Sequence, residues 1–82
     1  MLTAKYMYPD NDYELERQRT AMFLVEGKEY GVKDVLMGQS HTTILLADVD
    51  GVFNSVHFDF FEDGKEIDIY SSPKYNPYLR ED

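Results

Sequence analysis

The chain contains no cysteine, only three prolines, and eight Lys and Arg against sixteen Asp and Glu. Without cysteine there is neither a disulfide framework nor a thiolate zinc site, so a packed core has to hold the domain together. The same absence fits the reducing cytoplasm. No apolar run approaches the ~18 residues of a membrane span. The stretch from Met1 to Pro9 lacks the apolar segment of a secretory signal. These absences predict a cytoplasmic protein with no membrane partner.

Positive charge is the next deficit. The net charge is −8 at pH 7, and it is uneven: residues 1–41 hold seven acids and five bases, residues 42–82 nine and three. Binding a phosphate backbone needs Lys and Arg to displace counterions, so direct nucleic-acid binding is not expected. A protein partner with a basic surface suits this charge, and so does an acidity that serves only solubility.

What is present points to β-structure. Eighty-two residues make about one small domain, and seven Tyr with five Phe supply its core. Three turn signals, Glu26-Gly27, Asp50-Gly51 and Asp63-Gly64, sit between apolar runs and predict hairpins. From Val52 to Phe61, Val56, Phe58 and Phe60 alternate with Ser55, His57 and Asp59, the period-2 pattern of a sheet buried on one side. Phe53 breaks that parity, so a bulge is expected near Asn54-Ser55. Ile67 and Ile69 continue the inward face beyond Asp63-Gly64. Leu2, Ala4, Tyr6 and Tyr8 define a first strand, and Thr42 to Ala47 a later one. Ala21 to Val25, apolar throughout, reads as a central strand. Its partner starts at Glu29, and the switch from Tyr30 and Val32 to Val35 and Met37 predicts a bend.

Residues 9–19 are highly charged and predict a long loop, with a short helix capped by Asp10 or Asp12 as the alternative. The predicted architecture is all-β: a five- to six-stranded antiparallel, SH3-like, partly open barrel over residues 1–72. The Pro/Tyr-rich tail, residues 73–82, reads as extended. It either docks to a partner or folds back over the open barrel end.

No residue set meets the demands of catalysis. Gly38-Gln39-Ser40 opens like a nucleophile elbow, but Thr42 occupies the place of the closing glycine. A calcium loop with Gly51 in sixth place would put Leu46 first and His57 twelfth, and neither ligates calcium as required. Aligning Asp10, Asp12 and Glu14 instead puts Leu15 where the glycine belongs. His57 and Asp59 read as sharing a face, with His41 or Asp68 as a third metal ligand, but cross-strand hydrogen bonding explains them more simply. The expectation is a protein without cofactor, metal or enzymatic activity.

Two surfaces are left as candidates. One is an acidic face of Asp48, Asp50, Asp59, Glu62, Asp63, Glu66 and Asp68. The other is the uncharged loop Gly38 to Thr43, where Gln39, Ser40, His41 and Thr42 offer adaptable donors and acceptors.

The segments Met37 to Thr43, Gly51 to Phe58 and Gly64 to Tyr70 together resemble small proteins of phages and prophages in Gram-positive bacteria. The resemblance implies an accessory phage protein that inhibits or regulates a host system from the host cytoplasm. It carries no functional residues. The leading expectation is a non-catalytic module whose acidic face meets a basic protein, such as a host defence or nucleic-acid-binding protein. A small-ligand binder using the Gly38–Thr43 loop and a minor structural phage protein are the alternatives. Homo-oligomerisation is open in all three.

Overall fold

Alternation of apolar and polar residues builds the middle of the sheet. In strand β1 (Leu2–Tyr6) the side chains of Leu2, Ala4 and Tyr6 are buried and their neighbours are not, as period-2 geometry dictates. The computed structural model describes residues 1–38 and 40–79. Strand β2 (Glu29–Met37) is long enough to serve two partners. Its first part pairs with β1, Thr3 opposite Gly31. Its second part pairs with β3 (Thr42–Leu46). The register shifts between Val32 and Asp34, so the expected bend is a β-bulge that turns one sheet half against the other.

Strands β4 (Val52–Asn54), β5 (Phe58–Glu62) and β6 (Lys65–Ile67) complete an antiparallel sheet of order β4-β3-β2-β1-β5-β6. The expected all-β, six-stranded antiparallel architecture is therefore what the chain adopts, with the addition of one α-helix. β4 and β6 end the sheet order without pairing with each other, which leaves the sheet open. A long first connection, a shared bent strand and a 3₁₀ turn before β5 fit an SH3-like arrangement broadly. Tyr6, Ile44, Phe53, Phe58, Phe60 and Ile69 fill the core.

Three local expectations are corrected. Residues 9–19 are loop only as far as Tyr13, because helix α1 (Glu14–Phe23) follows. The same helix overturns the central strand expected at Ala21–Val25. Ala21, Met22 and Phe23 form its last turn and are exposed, and only Leu24 enters the core. Beside an edge contact of Phe23 on Phe53, what holds α1 is the Arg19 side chain. Arg19 donates to Glu16 at 3.0 Å and to the carbonyl of Val52, and its guanidinium stacks 5.3 Å from the Phe53 ring centroid.

The second correction lies between β4 and β5. A 3₁₀ turn, Ser55–His57, replaces the expected bulge, with the Asn54 carboxamide oxygen accepting from Val56 N. The turn reverses the parity of the strand pattern, so Val56 is exposed and His57 is completely buried. The third concerns the turns. Asp63 and Gly64 both have positive φ, as a type I′ hairpin requires. Gly51 alone has it in its connection, which is five residues long, and Gly27 turns the chain from the exit of α1 into β2.

The tail is not extended as far as it is described. It follows a 3₁₀ turn at Ile69–Ser71, packs Tyr75 on the core and makes a further 3₁₀ turn at Pro77–Leu79.

Candidate functional site

The β2–β3 connection closes tightly. Gly38 N donates to the His41 carbonyl at 3.0 Å, and a Cβ on Gly38 would lie 3.0 Å from that oxygen. The closure presents Ser40 and His41 outward, with the Ser40 Oγ 3.4 Å from His41 Nδ1, while Thr42 turns into the wall. Gln39 lies outside the described residues.

Opposite this loop stands Tyr13. It is fixed at the start of α1 by its backbone N–H, which donates to Asp12 Oδ1 at 2.9 Å. Asp12 adopts a positive φ of 79° to make that bond. Its other oxygen accepts from Asn54 Nδ2 at 3.0 Å. Asn54 and Ser55 form the floor. The Ser55 and Tyr70 hydroxyls share a hydrogen bond. The tail closes the remaining side: Asn76 Nδ2 donates to the Tyr70 carbonyl at 2.7 Å, and Tyr78 N donates to Asn76 Oδ1 at 3.0 Å.

These segments enclose a cleft of about 620 Å³ whose described lining has no charged side chain; Tyr13, Tyr70, Tyr78, His41 and Asn76 dominate it. The volume is that of ordinary ligand sites. Tyr13 and Tyr78 remain 82% and 59% exposed, so both rims hold aromatic surface ready for contact.

Charged residues lie in the recesses next to the cleft. Beyond Tyr13 and His41 a second recess adds Asp12 and Glu16, together with Arg19. Beyond Tyr70 a smaller recess is lined by Asp59, Glu66 and Asp68. The acidic residues singled out from the sequence thus separate. Asp59, Glu62, Asp63, Glu66 and Asp68 gather at the β5–β6 end, whereas Asp48 and Asp50 lie in the β3–β4 connection at the other end of the sheet order.

Several of these acids are engaged internally. Glu62 accepts from Lys74 and, at 2.6 Å, from the Tyr75 hydroxyl, and these two bonds hold its carboxyl below the usual carboxylate range. Asp63 meets the Met1 nitrogen. Asp68 caps the turn at Ile69–Ser71 by accepting from Tyr70 N at 2.9 Å. Asp59 accepts from the Tyr8 hydroxyl at 2.8 Å, which raises the Tyr8 pKa.

His57 and Asp59 do not share an exposed face, so the metal reading for them fails on geometry. The His57 ring is fully buried, with Nδ1 2.9 Å from the Tyr8 carbonyl and Nε2 facing Asp12. Among the described residues no group of three His, Asp or Glu could hold a metal ion, and no helix is long and apolar enough to cross a membrane.

Sequence reasoning found the loop side of the cleft, Ser40, His41 and Thr42, but missed Tyr13, Asn54, Ser55, Tyr70 and Asn76. The signal for the tail side was its mixture of Tyr and Pro. For Tyr13 it was the presence of an aromatic ring in an otherwise charged run.

Comparison with known proteins bears on origin. No curated protein and no solved structure matches the chain. A family model described as bacteriophage T4 protein Y07B matches residues 1–81. The match supports the phage half of the sequence resemblance and lends nothing to a Gram-positive host or an accessory role. With nearly the whole sequence matched, the chain belongs to the bacteriophage T4 protein Y07B family.

Proposed function

We propose that this phage protein is a non-catalytic binding module that holds an extended segment of a partner protein in the tyrosine cleft. The observation that carries this reading is the arrangement of charge: an uncharged aromatic cleft beside a recess lined by Asp59, Glu66 and Asp68 beyond Tyr70. Tyr offers large contact area at low entropic cost, and Asn, Ser and His supply adaptable hydrogen bonds. The segment that fits is uncharged in its middle and carries Lys or Arg at the end that passes Tyr70. The net charge of −8 draws a basic partner in and sets its orientation.

Glu66 is then the contacting part of the acidic face, Asp59 and Asp68 add negative field from positions where they also bond internally, and Glu62 and Asp63 serve mainly the fold. Asp48 and Asp50 contribute long-range attraction. A host protein whose basic surface normally meets nucleic acid is a natural target for such a module, acting in the host cytoplasm. No catalytic step is assigned to it.

An array of peptides with basic, neutral and acidic flanks around uncharged centres tests the reading. Binding should favour basic flanks, weaken with added salt, and fall at least tenfold in the double variant Tyr13→Ala/Tyr78→Ala. Peptide binding that ignores flank charge, or that survives the double variant, would sink it. Binding of neutral sugars or nucleosides in place of every peptide would support the small-ligand alternative built on the Gly38–Thr43 loop.

A further inference from the structure

The helix presents the wrong residues to water. In α1 the only buried residue is Thr20, yet Leu15 and Met22 are 79% and 80% exposed. Seven residues apart, they lie two turns along the same side of the helix. Phe23, whose ring also meets Phe53 edge-on, and Val25 just past the helix are 52% and 63% exposed. An isolated exposed apolar residue is ordinary, but four within residues 15–25 make a candidate contact patch.

We propose that this face is a self-association surface, on which α1 of one chain packs antiparallel against α1 of a second copy. Charge selects the occupant. Helix α1 carries Glu14 and Glu16 against Arg17 and Arg19 and is locally neutral, in a chain of net −8. Both arginines are turned to internal partners, Arg17 to the Asp10 carbonyl and Arg19 to Glu16 and Val52. A basic partner finds no excess of acid here, and an acidic one no excess of base. A second copy, repelled elsewhere by like charge, meets no such barrier at this face.

The pattern is also self-complementary. A two-fold axis near Gln18 sets Leu15 of each copy on Met22 of the other, as a closed dimer demands. The four side chains leave on the order of 400–500 Å² of apolar surface in water. Two such faces together bury at most about 800–1,000 Å², the range of a weak, transient interface. The dimer is accordingly weak, with micromolar or higher dissociation constants. Salt should tighten it, because screening relieves the repulsion between two −8 chains while leaving the apolar contact intact.

Sedimentation velocity on the intact chain, from low micromolar to sub-millimolar concentration and at two salt levels, reads this directly. The weight-average mass should rise from one chain toward two, further at the higher salt. The variant Leu15→Gln/Met22→Gln keeps the charge and touches no buried residue, so its thermal melt should be unchanged while the rise is lost. Because the chain has no cysteine, mixing Leu15→Cys with Met22→Cys under oxidation should give the mixed disulfide in preference to either like pair. A wild-type chain that stays monomeric throughout overturns the proposal, as does self-association that the double variant retains. Peptide binding in the cleft is measured separately, so failure here leaves that reading standing.

Discussion

Asp12 Oδ2 lies 3.7 Å from His57 Nε2 and 3.0 Å from Asn54 Nδ2, so one carboxylate ties the loop before α1 to β4 and to the 3₁₀ turn that follows it. At 3.7 Å the approach to His57 is too long for a hydrogen bond, so the bonded tie is the one to Asn54. Nε2 has no hydrogen-bond partner among the described residues, while Nδ1 is held by the Tyr8 carbonyl. His57→Ala removes a fully buried ring and that bond, and should cost about 2–4 kcal/mol in urea denaturation. Asp12→Ala should cost about 1 kcal/mol or more and also free Tyr13, which depends on Asp12 for its backbone bond. Its signature is a loss of peptide binding larger than the loss of stability explains. If binding falls no further than in a stability-matched core variant such as Ile44→Val, Asp12 does not position Tyr13.

The helix has its own anchor, and it is Arg19. Stacked on Phe53 and bonded to Glu16 and the Val52 carbonyl, this side chain joins α1 to the edge strand β4. Arg19→Ala should destabilise by about 1–2 kcal/mol and lower the helical signal in circular dichroism, since no apolar stripe replaces the contact. Arg19→Lys should recover little, because an ammonium cannot stack flat and donate in a fork at once. Full recovery by lysine would reduce the anchor to simple charge pairing.

That anchor explains what the sequence left illegible. Helices are read from an apolar stripe with a period of 3.6, and α1 buries only Thr20 while Leu15 and Met22 face water. The apolar run at its end therefore read as a strand. The place of His57 is illegible for a different reason: a three-residue 3₁₀ turn shifts side-chain parity, and the bonds that hold it come from the Asn54 side chain and from distant residues such as Asn11, Met7 and Tyr8. The strands themselves were legible because burial on one face enforces alternation, as in Leu2, Ala4 and Tyr6 or in Phe58 and Phe60. The bend between Val32 and Asp34 was legible by the same logic run backwards, from a break in alternation. Half the cleft was legible because the Gly38–Thr43 loop lacks charge. The other half depends on where the tail folds, which rests on single hydrogen bonds such as that of Asn76 to Tyr70.

Gly64 isolates the backbone contribution of a turn. Its φ is +84°, and a Cβ built there meets nothing within 4 Å. Gly64→Ala should therefore cost about 1–2 kcal/mol purely through the left-handed conformation, while leaving the native structure intact. Thermal unfolding monitored alongside amide shifts of β5 and β6 checks both halves. A change in strand pairing, rather than in stability alone, would show that the turn also sets register.

The tail should respond to acid before the core does. Glu62 accepts from Lys74 and Tyr75, which lowers its pKa. A carboxylate depressed in the folded state contributes stability above its unfolded pKa and loses it as pH falls through the folded value. The Lys74 pKa is raised, chiefly by its bond to Glu62, and that of Tyr75 chiefly by burial. Their contributions are full at neutral pH and fade only as pH rises through the raised values. Docking of the tail should thus be constant from weakly acidic to weakly alkaline pH and weaken on acidification. The Tyr75 ring shifts should then drift toward random-coil positions while those of buried Ile44 hold. Because Asn76 and Tyr78 line the cleft from this same tail, peptide binding should fall with the Tyr75 shifts. Glu62→Gln should reproduce both changes at neutral pH. Loss of Ile44 and Tyr75 shifts together at one pH would instead mean that the tail and the core unfold as a unit.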